Sequence, residues 1–104
     1  MAASGRGSRQ KGKVGELDIV HAFQDAGFPE AHRNTIDGQV DGDIAKVPDY
    51  TEVRRRETLA IPAWVRECEE RCPEGRDWAL VFRRSREPWT VCISLDHYLR
   101  LKRG

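Results

Sequence analysis

Two short strand-like segments near the middle of the chain each carry a carboxylate, and their spacing limits how the chain can fold. The first contains Gly42-Asp43-Ile44 and the second contains Glu52-Val53-Arg54. Side chains at positions i and i+2 of a strand share a face, so Glu52, Arg54 and Arg56 are expected on one face and Val53 on the other. The Pro48-Asp49 pair between the segments predicts a turn that makes them adjacent antiparallel strands. Two carboxylates and a cation at one sheet edge can hold a divalent metal beside a phosphodiester.

The basic residues are clustered, although the net charge is only +1. The 104 residues fit one domain over 13–104, preceded by a flexible basic tail over 1–12. Fourteen of the eighteen basic residues are Arg, the side chain best suited to bidentate phosphate contacts. Any single cluster is typical of solvated surface, but four of them in one small domain favour a nucleic-acid partner. The four basic clusters lie at Arg6, Arg9, Lys11 and Lys13, at 54–56, at 83–86 and at 100–103.

The cysteines and histidines offer no recognisable metal or disulfide pattern. Cys68, Cys72 and Cys92 are an odd number and form no second ligand pair for zinc. His21, His32 and His97 are dispersed and lack metal-ligand spacing. The sequence contains no signal peptide or transmembrane run, so we expect a cytoplasmic protein.

The hydrophobic pattern predicts eight elements in the order α-β-β-β-α-β-β-α. Such an order is typical of an α/β fold with a mixed β-sheet flanked by helices. In the first helix Glu16 lies at the edge of the apolar stripe, where a carboxylate needs a partner; alternatively it is a first-turn Glu favoured by the helix dipole. The predicted helices cover 14–26, 61–72 and 95–101, and the predicted strands cover 31–36 (weakly), 42–47, 51–56, 78–84 and 89–94.

The order of these motifs resembles the PD-(D/E)XK nuclease superfamily. A glutamate in a first helix precedes Gly-Asp-Ile on one strand and Glu-x-basic on the next, and a helix follows. More closely, residues 11–101 resemble the small Holliday junction resolvase-like endonucleases of bacteriophages. The resemblance implies a restriction-endonuclease-like core. The matching segments include Lys13-Val14-Gly15-Glu16, Thr51-Glu52-Val53-Arg54, Ala63-Trp64-Val65 and Trp89-Thr90-Val91.

The resemblance also implies a catalytic site. Asp43 and Glu52 would bind Mg²⁺ or Mn²⁺ with the backbone carbonyl of Val53, and Glu16 would be an outer member of the site. Arg54 stands where the family has Lys. An Arg can stabilise charge on a phosphate, but it stays protonated and cannot act as a base.

Several of these residues have alternative interpretations. Asp41 is either an additional carboxylate of the site or a turn residue beside Gly42. Asp43 is otherwise a turn residue, and Glu52 is otherwise part of a surface cross-strand cluster with Arg54 or Arg56. Arg33 is either a phosphate contact or a surface ion pair.

The predicted function is a metal-dependent DNA endonuclease that hydrolyses phosphodiester bonds in branched DNA such as Holliday junctions. Symmetric resolution of a junction needs two active sites, so the resemblance implies a homodimer, in the host cytoplasm if the protein is phage-encoded. The alternatives are a catalytically inactive DNA-binding module of the same fold and an interaction protein whose charges are only solvated surface. The residues expected to contact DNA are Arg9, Lys11, Lys13, Arg33, Arg55 and Arg56.

Overall fold

A computed structural model of the chain describes the backbone of residues 2–35 and 41–104, and the side chains of residues 14–35 and 41–104. The elements follow the predicted order, with a mixed sheet and flanking helices, so the predicted fold class is confirmed at this level. They are α1 (Ala2–Asp25), β1 (His32–Arg33), β2 (Ile44–Ala45), β3 (Tyr50–Arg55), α2 (Ile61–Arg71), β4 (Trp78–Arg83), β5 (Thr90–Cys92) and α3 (Leu95–Arg103).

The main sheet has the strand order β3-β4-β5 and is mixed. β3 pairs with β4 in parallel, with Val53 opposite Val81, and β4 pairs with β5 antiparallel. A parallel pair requires a crossover connection, which α2 provides. Buried residues run continuously along 50–53 and 79–81, because the sheet is covered on both faces.

Each face of the sheet has its own apolar core. On one face, Ile19 and Val20 of α1 pack with Val53 and Val81. On the other, Trp64 and Cys68 of α2 pack with Leu80. Glu52 is the register partner of Leu80, and directly paired residues share a face. A carboxylate therefore lies on the α2 face, beside the apolar core of that side.

The predicted antiparallel hairpin of 42–47 with 51–56 is wrong. β2 pairs antiparallel with β1, and Arg33 is opposite Ile44. Its link to β3 is an isolated parallel bridge between Gly42 and Thr51. The chain therefore reaches β3 through a loop and not through a tight turn.

Arg76 provides the physical reason for this loop. Its guanidinium donates to the carbonyl of Val47 at 3.1 Å, to that of Pro48 at 3.4 Å and to Asp41 at 2.8 Å. Lys46 has a φ of 63°, in the left-handed region that turns the chain. The Val47 carbonyl, at the end of the predicted strand, is thus bound by a side chain from the segment before β4, which sequence spacing does not reveal.

The first helix begins earlier than predicted. It starts at Ala2 and not at residue 14, and it ends at Asp25, before Gly27 with a φ of 108°. The glycines at 5, 7 and 12 argued against helix, but 2–13 contain no proline, so the hydrogen-bond ladder can continue. The expected flexibility of residues 1–12 stays a prediction, and the side chains of Arg9, Lys11 and Lys13 lie outside the described residues.

The predicted strand over 31–36 is observed only as His32–Arg33, and residues 36–40, which include the predicted turn Asp37-Gly38, lie outside the described residues. The later elements match their predicted bounds to within two residues. None of the described helices combines the length and the apolar content needed to cross a lipid bilayer.

Candidate functional site

The candidate site lies at the edge of β3 that faces away from β4. The N–H and C=O of one strand residue point to the same edge, and those of Val53 both point here. The Val53 N–H donates to Asp43 Oδ2 at 2.8 Å, and its carbonyl accepts from Arg54 Nη1 at 3.1 Å. Asp43 thus caps the strand edge with its side chain.

Gly42 allows Asp43 to reach that edge. The Asp43 N–H donates to the Thr51 carbonyl at 2.8 Å. Gly42 has a φ of 83°, and a Cβ at this position would lie 2.6 Å from the same Thr51 carbonyl oxygen. A side chain is excluded both by the backbone conformation and by this contact. The glycine of the Gly-Asp-Ile motif therefore has a direct structural purpose.

The guanidinium of Arg54 is the centre of the site. Nη2 donates to Glu52 Oε1 at 2.6 Å and to Glu67 Oε2 at 3.2 Å. Nη1 lies 3.4 Å from Asp43 Oδ2 and 3.1 Å from the Val53 carbonyl oxygen. Oxygens from β3, α2 and the loop before β2 therefore converge on a single cation.

Glu52 is the most deeply buried member, with 2% of its surface exposed. Besides Arg54, its carboxylate accepts a 2.6 Å hydrogen bond from the Tyr50 hydroxyl and lies 3.8 Å from Arg71 Nη1. A buried carboxylate is costly unless it is paired and hydrogen-bonded. Three partners from β3 and α2 satisfy this requirement.

The pKa shifts reflect this crowding of charge. Burial raises the pKa of Asp43, although the Val53 N–H and the Arg54 charge oppose it. Burial and the hydrogen bond to Glu52 raise the pKa of Tyr50, so its hydroxyl remains a donor. Burial acts to lower the pKa of Arg54, but the charges of Glu52 and Asp43 outweigh it and the pKa is raised. The guanidinium therefore stays cationic.

Glu16 lies outside the contacts of Arg54. Its Oε1 accepts a hydrogen bond from Arg33 Nε at 2.8 Å and lies 2.8 Å from Arg33 Nη2. Burial raises the pKa of Glu16, and the charge of Asp43 contributes in the same direction. The charges of Glu16 and Asp43 therefore interact, while Arg33 binds the Glu16 carboxylate. This contact favours the ion-pair interpretation of Arg33.

Other expected residues lie apart from the centre of the site. Asp41 is bound by Arg76, so it does not add a carboxylate there. Arg56 is exposed just beyond β3, and Arg55 is half-buried at the strand end.

Sequence reasoning missed Glu67 and Arg71 of α2. Both contact the charged residues of β3. A signal was present, because positions 64, 67, 68 and 71 have the i, i+3, i+4, i+7 spacing of one helix face, and Trp64 and Cys68 are the buried residues of that face. Charged residues interleaved with a buried stripe indicate a buried polar partner.

The donor set of the site suits a hard divalent cation. Asp43 and Glu52 offer carboxylate oxygens and Val53 offers a carbonyl oxygen, and these are the ligand types that Mg²⁺ uses. All three contact the Arg54 guanidinium, Asp43 and Val53 through Nη1 and Glu52 through Nη2. The residues therefore fit the metal that the resemblance implies, provided that the Arg54 guanidinium moves.

A second polar cluster was also missed. Asp49 and Asp77 precede the paired starts of β3 and β4, and the nearly buried His97 lies 3.7 and 3.8 Å from them. Ligand atoms of the three lie within 4.8 Å of one another. Arg100 already binds both Asp77 oxygens at 2.6 and 3.0 Å and lowers the pKa of Asp77. The cluster therefore connects α3 to the sheet electrostatically.

Comparison with known proteins adds no relative to these observations. No protein-family model matches the chain, and no curated protein or solved structure matches it either.

Replacing Gly42 tests how Asp43 is positioned. Gly75 has almost the same φ, 82°, but a Cβ there meets nothing within 4 Å, so Gly75→Ala isolates the cost of the backbone conformation. We expect Gly75→Ala to lower the free energy of unfolding by about 1–2 kcal/mol. Gly42→Ala should lower it by clearly more, because the Thr51 backbone must also shift. Urea denaturation measures both, and equal losses would contradict this account of Gly42.

Proposed function

We propose that the protein is a metal-dependent DNA endonuclease with a restriction-endonuclease-like core, as expected from the resemblance. The observation that carries the proposal is the convergence of Asp43 Oδ2, Glu52 Oε1 and the Val53 carbonyl on one cation at a strand edge. These are the three ligands that the resemblance implies. Their approach to a common cation is what a site for a divalent metal requires.

Asp43, Glu52 and the carbonyl of Val53 would hold Mg²⁺ or Mn²⁺, which would supply an activated water and neutralise charge on the phosphate oxygens. Arg54 contributes a planar guanidinium that binds phosphate bidentately and stabilises charge that develops on it. It stays protonated, so it orients and stabilises but does not remove a proton. Glu16 is paired with Arg33 and would be an outer member of the site.

We further propose that the substrate is branched DNA and that the protein acts as a homodimer in the cytoplasm, because symmetric cutting of a four-way junction needs two sites. Exposed apolar surface on β5 and α3 supports an association between copies. Val91 is 57% exposed, Leu95 is 70% exposed and Leu101 is 62% exposed. The exposed Arg56 and the half-buried Arg55 would contact the DNA backbone next to the site.

A second candidate is a DNA-binding module without catalysis. The observation that favours it is the position of Arg54, which already neutralises the carboxylates that a metal would need. Such a module would bind junction DNA in a salt-sensitive way and would leave it uncut with every metal. An interaction protein whose charges are only solvated surface would bind no DNA even at low salt.

Removing one carboxylate charge at a time tests the metal ligands. Asp43→Asn and Glu52→Gln preserve shape but remove a charged oxygen ligand, so each should abolish metal-dependent cleavage of junction DNA. Asp41→Asn is the matched control, because Asp41 pairs with Arg76 outside the site, and it should cleave like the wild type. Circular dichroism verifies folding of all three. Wild-type cleavage by folded Asp43→Asn or Glu52→Gln would remove the site assignment.

The role of Arg54 makes a separate prediction. Arg54→Lys keeps a cation and restores the residue type of the resemblance, so it should retain or raise the rate of cleavage. Arg54→Ala should lose about 10²–10³-fold, the usual effect of removing a group that stabilises charge in the transition state. Single-turnover kinetics with saturating protein measure both, and Arg66→Ala on the exposed surface of α2 serves as the control. Full activity in Arg54→Ala would exclude this cation from the chemistry.

A further inference from the structure

The position of Arg54 bears on when the metal can bind. Its guanidinium contacts each of the three oxygen ligands assigned to the metal, and it contacts Glu67 as well. A divalent ion binds the same carboxylates at short range, about 2.0–2.1 Å for Mg²⁺. The guanidinium already accounts for one contact of each of these oxygens, and two cations in such proximity repel. Metal binding at this site therefore competes with the contacts of the guanidinium and is favoured when the guanidinium leaves.

The site has an exit for that guanidinium. The side chain of Arg54 is 16% exposed, and beside it Asp43 is 30% exposed and Glu67 is 40% exposed. The solvent side of the site is therefore the side of Asp43 and Glu67, whereas Glu52 forms its closed bottom. The long side chain can turn toward solvent while its backbone stays in β3.

Glu52 keeps two other partners when Arg54 leaves. The Tyr50 hydroxyl still donates to Glu52 Oε2 at 2.6 Å, and Arg71 lies 3.8 Å from the same oxygen. The oxygen that faces Arg54 is the other one, Oε1. Departure of the guanidinium thus frees Oε1 for a metal while Oε2 keeps its partners.

A phosphodiester is the ligand that can draw the guanidinium away. Arg binds phosphate through two parallel charge-assisted hydrogen bonds, which replace those lost to Asp43 and Glu52. We infer that Arg54 is an internal cation that competes with the divalent metal and that a substrate phosphate releases this competition, so that phosphate and metal bind cooperatively. This inference rests on the proposed function, because it concerns the same metal ligands. Coupling of this kind is reciprocal between the two ligands.

Metal affinity in the absence of DNA tests the inference. Mn²⁺ binding to the full-length protein is titrated by electron paramagnetic resonance of the free ion, for wild type, Arg54→Gln and Arg66→Gln. Arg54→Gln should bind Mn²⁺ at least about tenfold more tightly than wild type, within the usual range of coupling between sites. Arg66→Gln removes the same charge from the exposed face of α2 and should bind like wild type. The double variant Asp43→Asn/Arg54→Gln should lose the gain, which assigns it to this site.

Three further measurements test the same competition between Arg54 and the metal. Arg54→Lys retains a charge but has one ammonium in place of a fork that reaches four oxygens, so its Mn²⁺ affinity should lie between those of wild type and Arg54→Gln. If Arg54→Gln does not fold without metal, Mn²⁺ should restore a cooperative thermal unfolding transition. The Mn²⁺ affinity of Arg54→Lys is then the one compared with wild type. In wild type, DNA affinity measured by fluorescence anisotropy should rise when Ca²⁺ is added.

The outcomes separate this inference from the proposed function. Equal Mn²⁺ affinity in wild type, Arg54→Lys and Arg54→Gln would overturn the competition, and EDTA-sensitive cleavage by wild type would then leave the endonuclease proposal standing. An equal gain in Arg66→Gln would reduce the effect to overall charge and would also overturn it. Absence of Mn²⁺ binding in every variant would also overturn the inference. The endonuclease proposal would be rejected only if the wild type also showed no EDTA-sensitive cleavage.

Discussion

The buried carboxylate of Glu52 is the constraint on which the arrangement of this site depends. It is 2% exposed and lies beside the apolar core formed by α2. A carboxylate in such a position must be paired and hydrogen-bonded, because the cost of desolvating an isolated charge exceeds the stability of most domains. Its partners come from the same strand, Tyr50 and Arg54, and from the helix above it, Arg71. The charge of Glu52 thus fixes which side chains can surround it.

Pairing with Glu52 also places Arg54, and through it the rest of the site. Once the guanidinium lies against Glu52, the same group reaches Asp43, Glu67 and the Val53 carbonyl. Asp43 is independently tied to the strand edge through the Val53 N–H. The oxygens therefore converge because a buried charge needs a cation, and the cation is large enough to contact several oxygens. A divalent metal would satisfy the same need with different geometry, which links the stability of this site to its proposed chemistry.

Much of the fold and the centre of the site follow from the sequence by local rules. The order of elements follows from periodicity, and the meeting of Glu52 and Arg54 follows from the two-residue repeat of a strand. The pairing of the first segment did not follow, because Arg76 binds the Val47 and Asp41 groups from 29 and 35 residues away. The same limit applies to Asp49, Asp77 and His97, which only the parallel pairing of β3 with β4 and the docking of α3 bring together. Helical periodicity could have identified Glu67 and Arg71, because they share a face with Trp64 and Cys68.

Incubation of the purified wild-type protein with end-labelled DNA tests whether the site cuts DNA with the help of a divalent metal. Three substrates (a four-way junction, a linear duplex and a single strand) are each incubated with Mg²⁺, with Mn²⁺ or with EDTA, and the strands are separated on a denaturing gel. We expect discrete cuts in the junction with Mg²⁺ or Mn²⁺ and none with EDTA, because the oxygens of Asp43, Glu52 and Val53 would hold the metal during hydrolysis. Junction strands that stay intact under every condition, or cuts that persist in EDTA, would contradict this expectation.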